Sequence, residues 1–324
     1  MKKYILIIAS LLLFVSCSDD NDDNEYNRDF KEDMRDFVIA ISEYSKTINS
    51  DFVIIPQNGI ELATIDGEDD GKPHTNYLNA IDGNGQEDLY YGYDNDNQAT
   101  PSEANRYLRT LLDISKTAGN TILVTDYCST QSKMDDSYIQ NHSNGYISFA
   151  AEHRELDNIP NYPTSIYAQN VNQILTLAEV ENFLYLINPE NYATKQDFIS
   201  AVTSTNYDLL IMDLFFSDGT EFTANEINQL KRKANGGSRL VICYMSIGEA
   251  EDYRYYWDSD WSNNKPSWID SENPDWEGNF KVQYWRPEWQ SLIFGNDSSY
   301  LKKILDANFD GVYLDIIDAF EYYE

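Results

Sequence analysis

Apolar positions follow two patterns along this chain. From Arg28 to Thr47 the residues Phe30, Met34, Phe37, Val38, Ile41 and Tyr44 recur at intervals of three and four, which predicts an amphipathic helix. Short continuous runs come next: Phe52 to Ile55, Tyr77 to Ile81, Ile122 to Val124, Gly145 to Ala151, Phe183 to Ile187, Leu209 to Asp213, Leu240 to Ser246 and Gly311 to Asp315. A strand that is apolar on both faces is buried on both, as in a parallel sheet covered by helices. Glu103 to Thr117, Ser165 to Glu179, Lys195 to Ser204, Thr223 to Asn235 and Ser298 to Ala307 are expected as the intervening helices. Thr223 with Glu226 reads as a capping box, and Gly119 and Gly236-Gly237 read as helix stops.

Eight or so strands alternating with helices predict an α/β fold, a (β/α)8 barrel of the TIM type. An open doubly wound sheet is the alternative, but no glycine-rich phosphate loop opens a helix after a strand. The 324 residues suit one such barrel, expected over residues 28–324. It is decorated by an aromatic insertion from Tyr255 to Trp289 that holds all six tryptophans.

The first seventeen residues carry Lys2, Lys3, an apolar run from Tyr4 to Val15 and then Ser16-Cys17, the pattern of a bacterial signal peptide, with a run too short to span a bilayer. Small residues before a cysteine resemble a lipobox, which makes Cys17 the expected lipidation site; a plain secretory signal is the alternative. Residues 18–27 are rich in Asp and Asn and are expected as an acidic tether, displaying the protein on the outer face of the cell as an outer-membrane lipoprotein. Cys128 and Cys243 lie in apolar runs, where buried free thiols are expected rather than a disulfide or a metal site.

Charge narrows the partners. With 55 acidic against 23 basic residues the formal net charge is −32, which argues against nucleic acid and against an anionic membrane surface. Membrane contact is expected only through the lipid anchor, and a cationic partner would be attracted. Simple solubility accounts for the same charge equally well.

Acids gather where strands are expected to end: Asp82, Glu87, Asp126, Asp213, Glu249, Asp315 and Asp318. The three histidines, His74, His142 and His153, lie elsewhere, which disfavours zinc hydrolysis, histidine-dependent phosphodiester cleavage and a Ser-His-Asp triad. Carboxylates among tryptophans and tyrosines suit a glycosidase, in which one acid protonates the leaving oxygen, another serves as nucleophile or base, and rings stack on sugar faces. No acidic spacing matches an ion loop, so neither metal nor cofactor is expected.

Four stretches carry a resemblance: Ser246-Ile247-Gly248-Glu249-Ala250-Glu251-Asp252-Tyr253-Arg254, Gly311-Val312-Tyr313-Leu314-Asp315-Ile316-Ile317-Asp318-Ala319, Pro56-Gln57-Asn58-Gly59-Ile60-Glu61-Leu62, and Ala80-Ile81-Asp82-Gly83 with Glu87. Together they resemble glycoside hydrolase family 114, the endo-α-1,4-polygalactosaminidases and their relatives. The resemblance implies hydrolysis of α-1,4-linked galactosamine polymers, cationic where deacetylated, with the catalytic carboxylates on Asp315 and Glu87. Asp213, Glu249, Asp318 and Asp126 are then expected as ligands for substrate amines or as supports, Asp82 and Asn58 as further substrate contacts, and Arg254 as a partner of Glu249 or Glu251. The order of the motifs departs from the family, whose Gly-Val-Tyr-Leu-Asp strand precedes the Pro-Gln-Asn-Gly and Ile-Asp-Gly strands. The barrel is therefore expected to be circularly permuted, and the protein to act as a monomer. A lipoprotein that binds glycan without cutting it, and a metal-dependent deacetylase or phosphoesterase, are the competing readings.

Overall fold

The computed structural model describes residues 28–324. The expected signal peptide, Cys17 and the expected acidic tether lie outside the described residues. Helix α1 (Phe30–Ile48) buries Met34, Phe37, Val38 and Ile41, the stripe its spacing predicts, and Asp29 caps it by accepting from the Glu32 amide at 2.9 Å. Five parallel strands form one sheet: β1 (Val53–Pro56), β5 (Phe183–Tyr185), β6 (Leu209–Met212), β7 (Leu240–Ser246) and β11 (Gly311–Asp315), in the order β1-β11-β7-β6-β5. A second parallel sheet holds β2 (Gly83–Glu87), β3 (Thr121–Tyr127) and β4 (Ile147–Ala151) in chain order.

The two sheets meet where Gln57 bridges Gly85 and the Asn58 amide donates to the Gly85 carbonyl at 2.9 Å. At the other edge Phe149 of β4 packs on Phe183 of β5, ring centroids 5.6 Å apart. Between the sheets, Tyr185 and Tyr313 cross at 5.3 Å and the Tyr185 hydroxyl donates to Gln57 Oε1 at 2.9 Å. The last strand is threaded between the first and the seventh, with Val53 opposite Gly311 and Asp315 opposite Ser246. Both ends of the described chain thus meet in one sheet.

The covering helices are α2 (Thr75–Ala80), α3 (Ser102–Thr117), α4 (Gln131–Ser143), α5 (Lys195–Thr203), α6 (Ala224–Leu230), α7 (Pro287–Ile293) and α8 (Tyr300–Asp306). The Thr223–Glu226 capping box forms as expected, although α6 ends at Leu230, short of Asn235. The aromatic insertion folds onto a small antiparallel sheet of β8 (Glu249–Glu251), β9 (Ile269–Glu272) and β10 (Asn279–Val282) in the order β8-β10-β9. Its anchor is Trp289, fully buried, whose indole N–H donates to the Ile247 carbonyl at 2.8 Å. Cys128 and Cys243 are buried free thiols. Among the described residues no helix is long and apolar enough to cross a membrane.

Two expected elements are wrong. Residues 77–80 are the end of helix α2, with Ile81 extended after it, and the strand lies just beyond, in Gly83-Asn84-Gly85-Gln86-Glu87. That strand has no β-branched residue to announce it, and its Gly85 leaves free the space that the Tyr313 side chain occupies. Residues 165–179 form turns and a single 3-10 turn at Leu177–Glu179, with Ala168 at φ +53 and Val171 and Leu175 exposed. The helix before this segment is α4, whose buried face includes Ser137 and Asn141 and so carries no apolar stripe to read.

A Cβ at position 85 would sit 1.9 Å from the Tyr313 hydroxyl, inside the contact distance of any two atoms. Gly85→Ala is expected to lower stability by about 1–3 kcal/mol through overpacking. An unshifted urea unfolding midpoint would contradict this packing.

Candidate active site

Asp315 closes β11 and stands one strand away from Tyr244 of β7, whose hydroxyl donates to Asp315 Oδ2 at 2.5 Å. Glu87 closes β2 and is held from both sides: the Tyr127 hydroxyl donates to Oε1, and the Asn58 side-chain amide donates to Oε2 at 3.1 Å. Asn58 Oδ1 in turn accepts from the Glu87 backbone N–H at 3.0 Å, so the strand end and its carboxylate are fixed by one side chain. Both acids lie at the C-terminal ends of parallel strands. They also share a field: burial pushes the Asp315 carboxyl up to about 7, and the charge of Glu87 is the next largest cause. Asp318, in the 3-10 turn after β11, is pushed up to about 8 by burial and then by Asp315.

The turns behind these acids are strained. Ile316 follows Asp315 at φ +57, Asp88 follows Glu87 at φ +58, and Asn58 sits at φ +60. A β-branched residue in the left-handed region is costly, of the order of 1–3 kcal/mol, and persists only where packing dictates it. Here Gly248 supplies that packing. A Cβ on it would lie 2.1 Å from the Ile316 carbonyl, while the neighbouring Ile247 N–H donates to the Asp315 carbonyl at 3.0 Å. The glycine of the Ser-Ile-Gly-Glu stretch is thus a matter of close backbone approach.

A second group of charges adjoins this one. Arg254 pairs with Glu251 at 2.6 Å and with Asp213 at 2.8 Å, while Glu249 accepts from Asn273 at 2.8 Å, Asn279 at 3.2 Å and the Tyr322 hydroxyl at 2.7 Å. Arg254 therefore takes the second of its two expected partners. Asp213 and Glu249 are thus occupied by protein donors. Tyr244 and Tyr127 are additions the sequence did not single out. Tyr244 lies two residues before the end of its strand, on the same face as Ser246, and the period-2 rule could have flagged it.

Two expected substrate contacts lie elsewhere. Asp82 sits at the start of β2, the opposite end from Glu87, where Oδ2 accepts from the Ile54 amide at 2.9 Å and meets Lys46 at 3.0 Å. This correction follows from the displaced strand. Asp126 is inside β3, completely buried, and accepts from the Tyr90 and Tyr91 amides at 2.7 and 3.1 Å, from Ser137 at 2.6 Å and from Asn141 at 3.0 Å. With four donors it has nothing left for a ligand. Among the described residues, no group of three or more His, Cys, Asp or Glu stands ready to hold a metal ion.

What fold and site define is an α/β protein with paired acids at the C-terminal mouth of parallel strands, the class in which carbohydrate-cleaving enzymes are common. Comparison points to a family: residues 169–323 match the model of glycoside-hydrolase family GH114. That range carries β5, β6, β7, the insertion and β11 with Asp315; Glu87 and Asn58 lie before it. Similar proteins include an uncharacterized protein of Methanocaldococcus jannaschii, 44% identical over 135 residues, covering 41% of this chain and 36% of that protein. An uncharacterized protein of Thermotoga maritima is 38% identical over 122 residues, 38% of this chain and 36% of its own length. One of Deinococcus radiodurans is 39% identical over 126 residues, 39% of this chain and 38% of its own length. The chain thus spans a little over a third of the relatives it matches.

Two outcomes test this geometry. Because Asp315 binds its proton more tightly folded than unfolded, stability on its account falls as pH rises from about 4 to about 7 and is flat above. Asp315→Asn, which removes a charge that burial penalises, is expected to raise the urea midpoint more at pH 8 than at pH 5; the reverse order would contradict the assignment. Asp126→Ala leaves four buried donors unpaired and is expected to cost about 3 kcal/mol in denaturant titration.

Proposed function

We propose that the protein is a cell-surface glycoside hydrolase that cleaves an α-1,4-linked galactosamine-type polymer, with Asp315 and Glu87 as its catalytic pair. The observation that carries this is the shared mouth. Burial, and after it the charge of Glu87, pushes the Asp315 carboxyl up to about 7, which supports Asp315 as the proton donor of the pair. One delivers a proton to the departing oxygen while the other meets the anomeric carbon or the water that attacks it. Tyr244, Tyr127 and Asn58 hold the two side chains in register, and the burial that raises Asp315 also strengthens every charge interaction at the transition state.

The reading includes a closed (β/α)8 barrel with permuted chain order. Closure is supported by the Gln57–Gly85 bridge at one edge of the sheets and the Phe149–Phe183 contact at the other. Permutation is supported by the parallel pairing of β11 with β1, together with a family match that begins at residue 169 and runs through β11 almost to the chain end. Strands β1 to β4, which come first here, then correspond to the later strands of the family order. An acidic protein suits a polymer that is cationic where deacetylated, and the Cys17 pattern suits a lipid anchor on the cell surface.

Asp315→Asn and Glu87→Gln are each expected to lower the release of reducing ends from partially deacetylated galactosaminan by at least about a thousandfold with the fold retained. Full activity in both variants would end the catalytic assignment. Tight binding of the polymer by the unmodified protein without new reducing ends would instead favour a glycan-binding lipoprotein.

A further inference from the structure

A pocket opens between the segments that follow β5 and β6 and the turn after β8, with Asn188, Glu190, Phe215, Ser217, Tyr253 and Arg254 in its wall. It adjoins the catalytic mouth through Glu251, which binds both Tyr253 and Arg254 and whose charge also reaches Asp315. Tyr253 is 61% exposed, yet its ring is not free to swing. Its hydroxyl donates to Glu251 Oε1 at 2.7 Å, Asn279 Oδ1 lies 3.2 Å away, and the Arg254 guanidinium stands 5.3 Å from the ring centroid. An exposed aromatic face held at a fixed angle loses little entropy when a ligand stacks on it.

The charges of the pocket are unevenly matched. Arg254 is occupied by Asp213 and Glu251. Glu190, at the rim, is exposed and has no ion pair among the described residues. A pinned ring, an uncompensated carboxylate and the amide and hydroxyl of Asn188 and Ser217 together match the apolar face, the ammonium and the hydroxyls of an amino-sugar ring.

We propose that this pocket is a sugar subsite next to the catalytic mouth, taking one protonated amino-sugar residue of the polymer with its ring on Tyr253 and its ammonium at Glu190. The proposal rests on the glycosidase reading above and adds to it where the chain is gripped and why a free amine is preferred. Occupancy of this subsite fixes how far from a chain end the cut falls.

The test uses the full protein and two probes, partially deacetylated and fully N-acetylated galactosaminan, with KM, kcat and product lengths by mass spectrometry. Tyr253→Ala is expected to raise KM about three- to tenfold, more than it lowers kcat, and to change the product lengths. Tyr253→Phe keeps the ring and should fall between Tyr253→Ala and the unmodified protein. Glu190→Gln is expected to raise KM for the deacetylated polymer and leave the acetylated one within about twofold. Equal effects on both polymers would overturn the amine assignment, and unmoved KM and product lengths in Tyr253→Ala and Glu190→Gln would overturn the subsite while leaving the catalytic pair standing. Absence of cleavage by the unmodified protein, with no calorimetric binding of deacetylated oligomers to Asp315→Asn, would remove the glycosidase reading and this subsite with it.

Discussion

Everything at the mouth depends on one pairing, that of β11 with β1. The register Val53 to Gly311 and Pro56 to Leu314 carries a strand from the far end of the chain into a slot beside the first strand. It brings Asp315 to the same edge as the Gln57-Asn58 turn, and through that turn to Glu87 on β2. The contact is parallel and its partners are 258 positions apart, so bringing them together carries a large loop-closure entropy that the packed sheet must offset. A cut made anywhere in a loop of such an arrangement leaves the pairing intact, which is why the order of strands along the chain matters less than their order around the sheet.

A chain with 55 acids and 23 bases cannot give every carboxylate a cation. Tyrosine takes up much of the deficit. Hydroxyls of Tyr244, Tyr127, Tyr253 and Tyr322 donate to Asp315, Glu87, Glu251 and Glu249, and away from the mouth Tyr91, Tyr146 and Tyr323 do the same for Asp136, Asp113 and Asp270. A phenol satisfies a carboxylate lone pair without cancelling its charge. That distinction matters where buried acids stand together, because an ion pair would hold an acid ionised and a bare apolar wall would leave it unplaced. Arg254 is spent on Asp213 and Glu251, one step removed from Asp315.

The same mouth is where the fold is least comfortable. Ile316 and Asp88 occupy left-handed backbone immediately after the two acids, and Asp315 and Asp318 are carboxyls that burial drives toward neutrality. The offset comes from the layer beneath, where Tyr185, Tyr313 and Gln57 fill the space between the sheets and Gly85 makes room for the Tyr313 ring. Strain gathered beside the two acids and compensated by close packing one layer away is the arrangement expected of a functional site.

The sequence by itself determined the helix 30–48, the apolar strands that become β1, β5, β6, β7 and β11, and the position of Asp315 at the end of the last of them, because each is written in local spacing. It also carried the motif resemblance to the family whose model matches residues 169–323, the range that holds the Ser246–Arg254 and Gly311–Ala319 stretches. Tertiary structure alone decided which acids face the mouth. Asp82 and Glu87 are five residues apart, and only the location of a strand without any β-branched residue assigns them to opposite ends. Asp126 and Asp315 look alike as strand-end acids; what separates them is that donors from Tyr90, Tyr91, Ser137 and Asn141 saturate the first, whereas the second meets one hydroxyl from a strand 71 positions away and the field of Glu87. Hydrogen-bond satisfaction is a property of neighbours in space, and no periodicity along the chain encodes it.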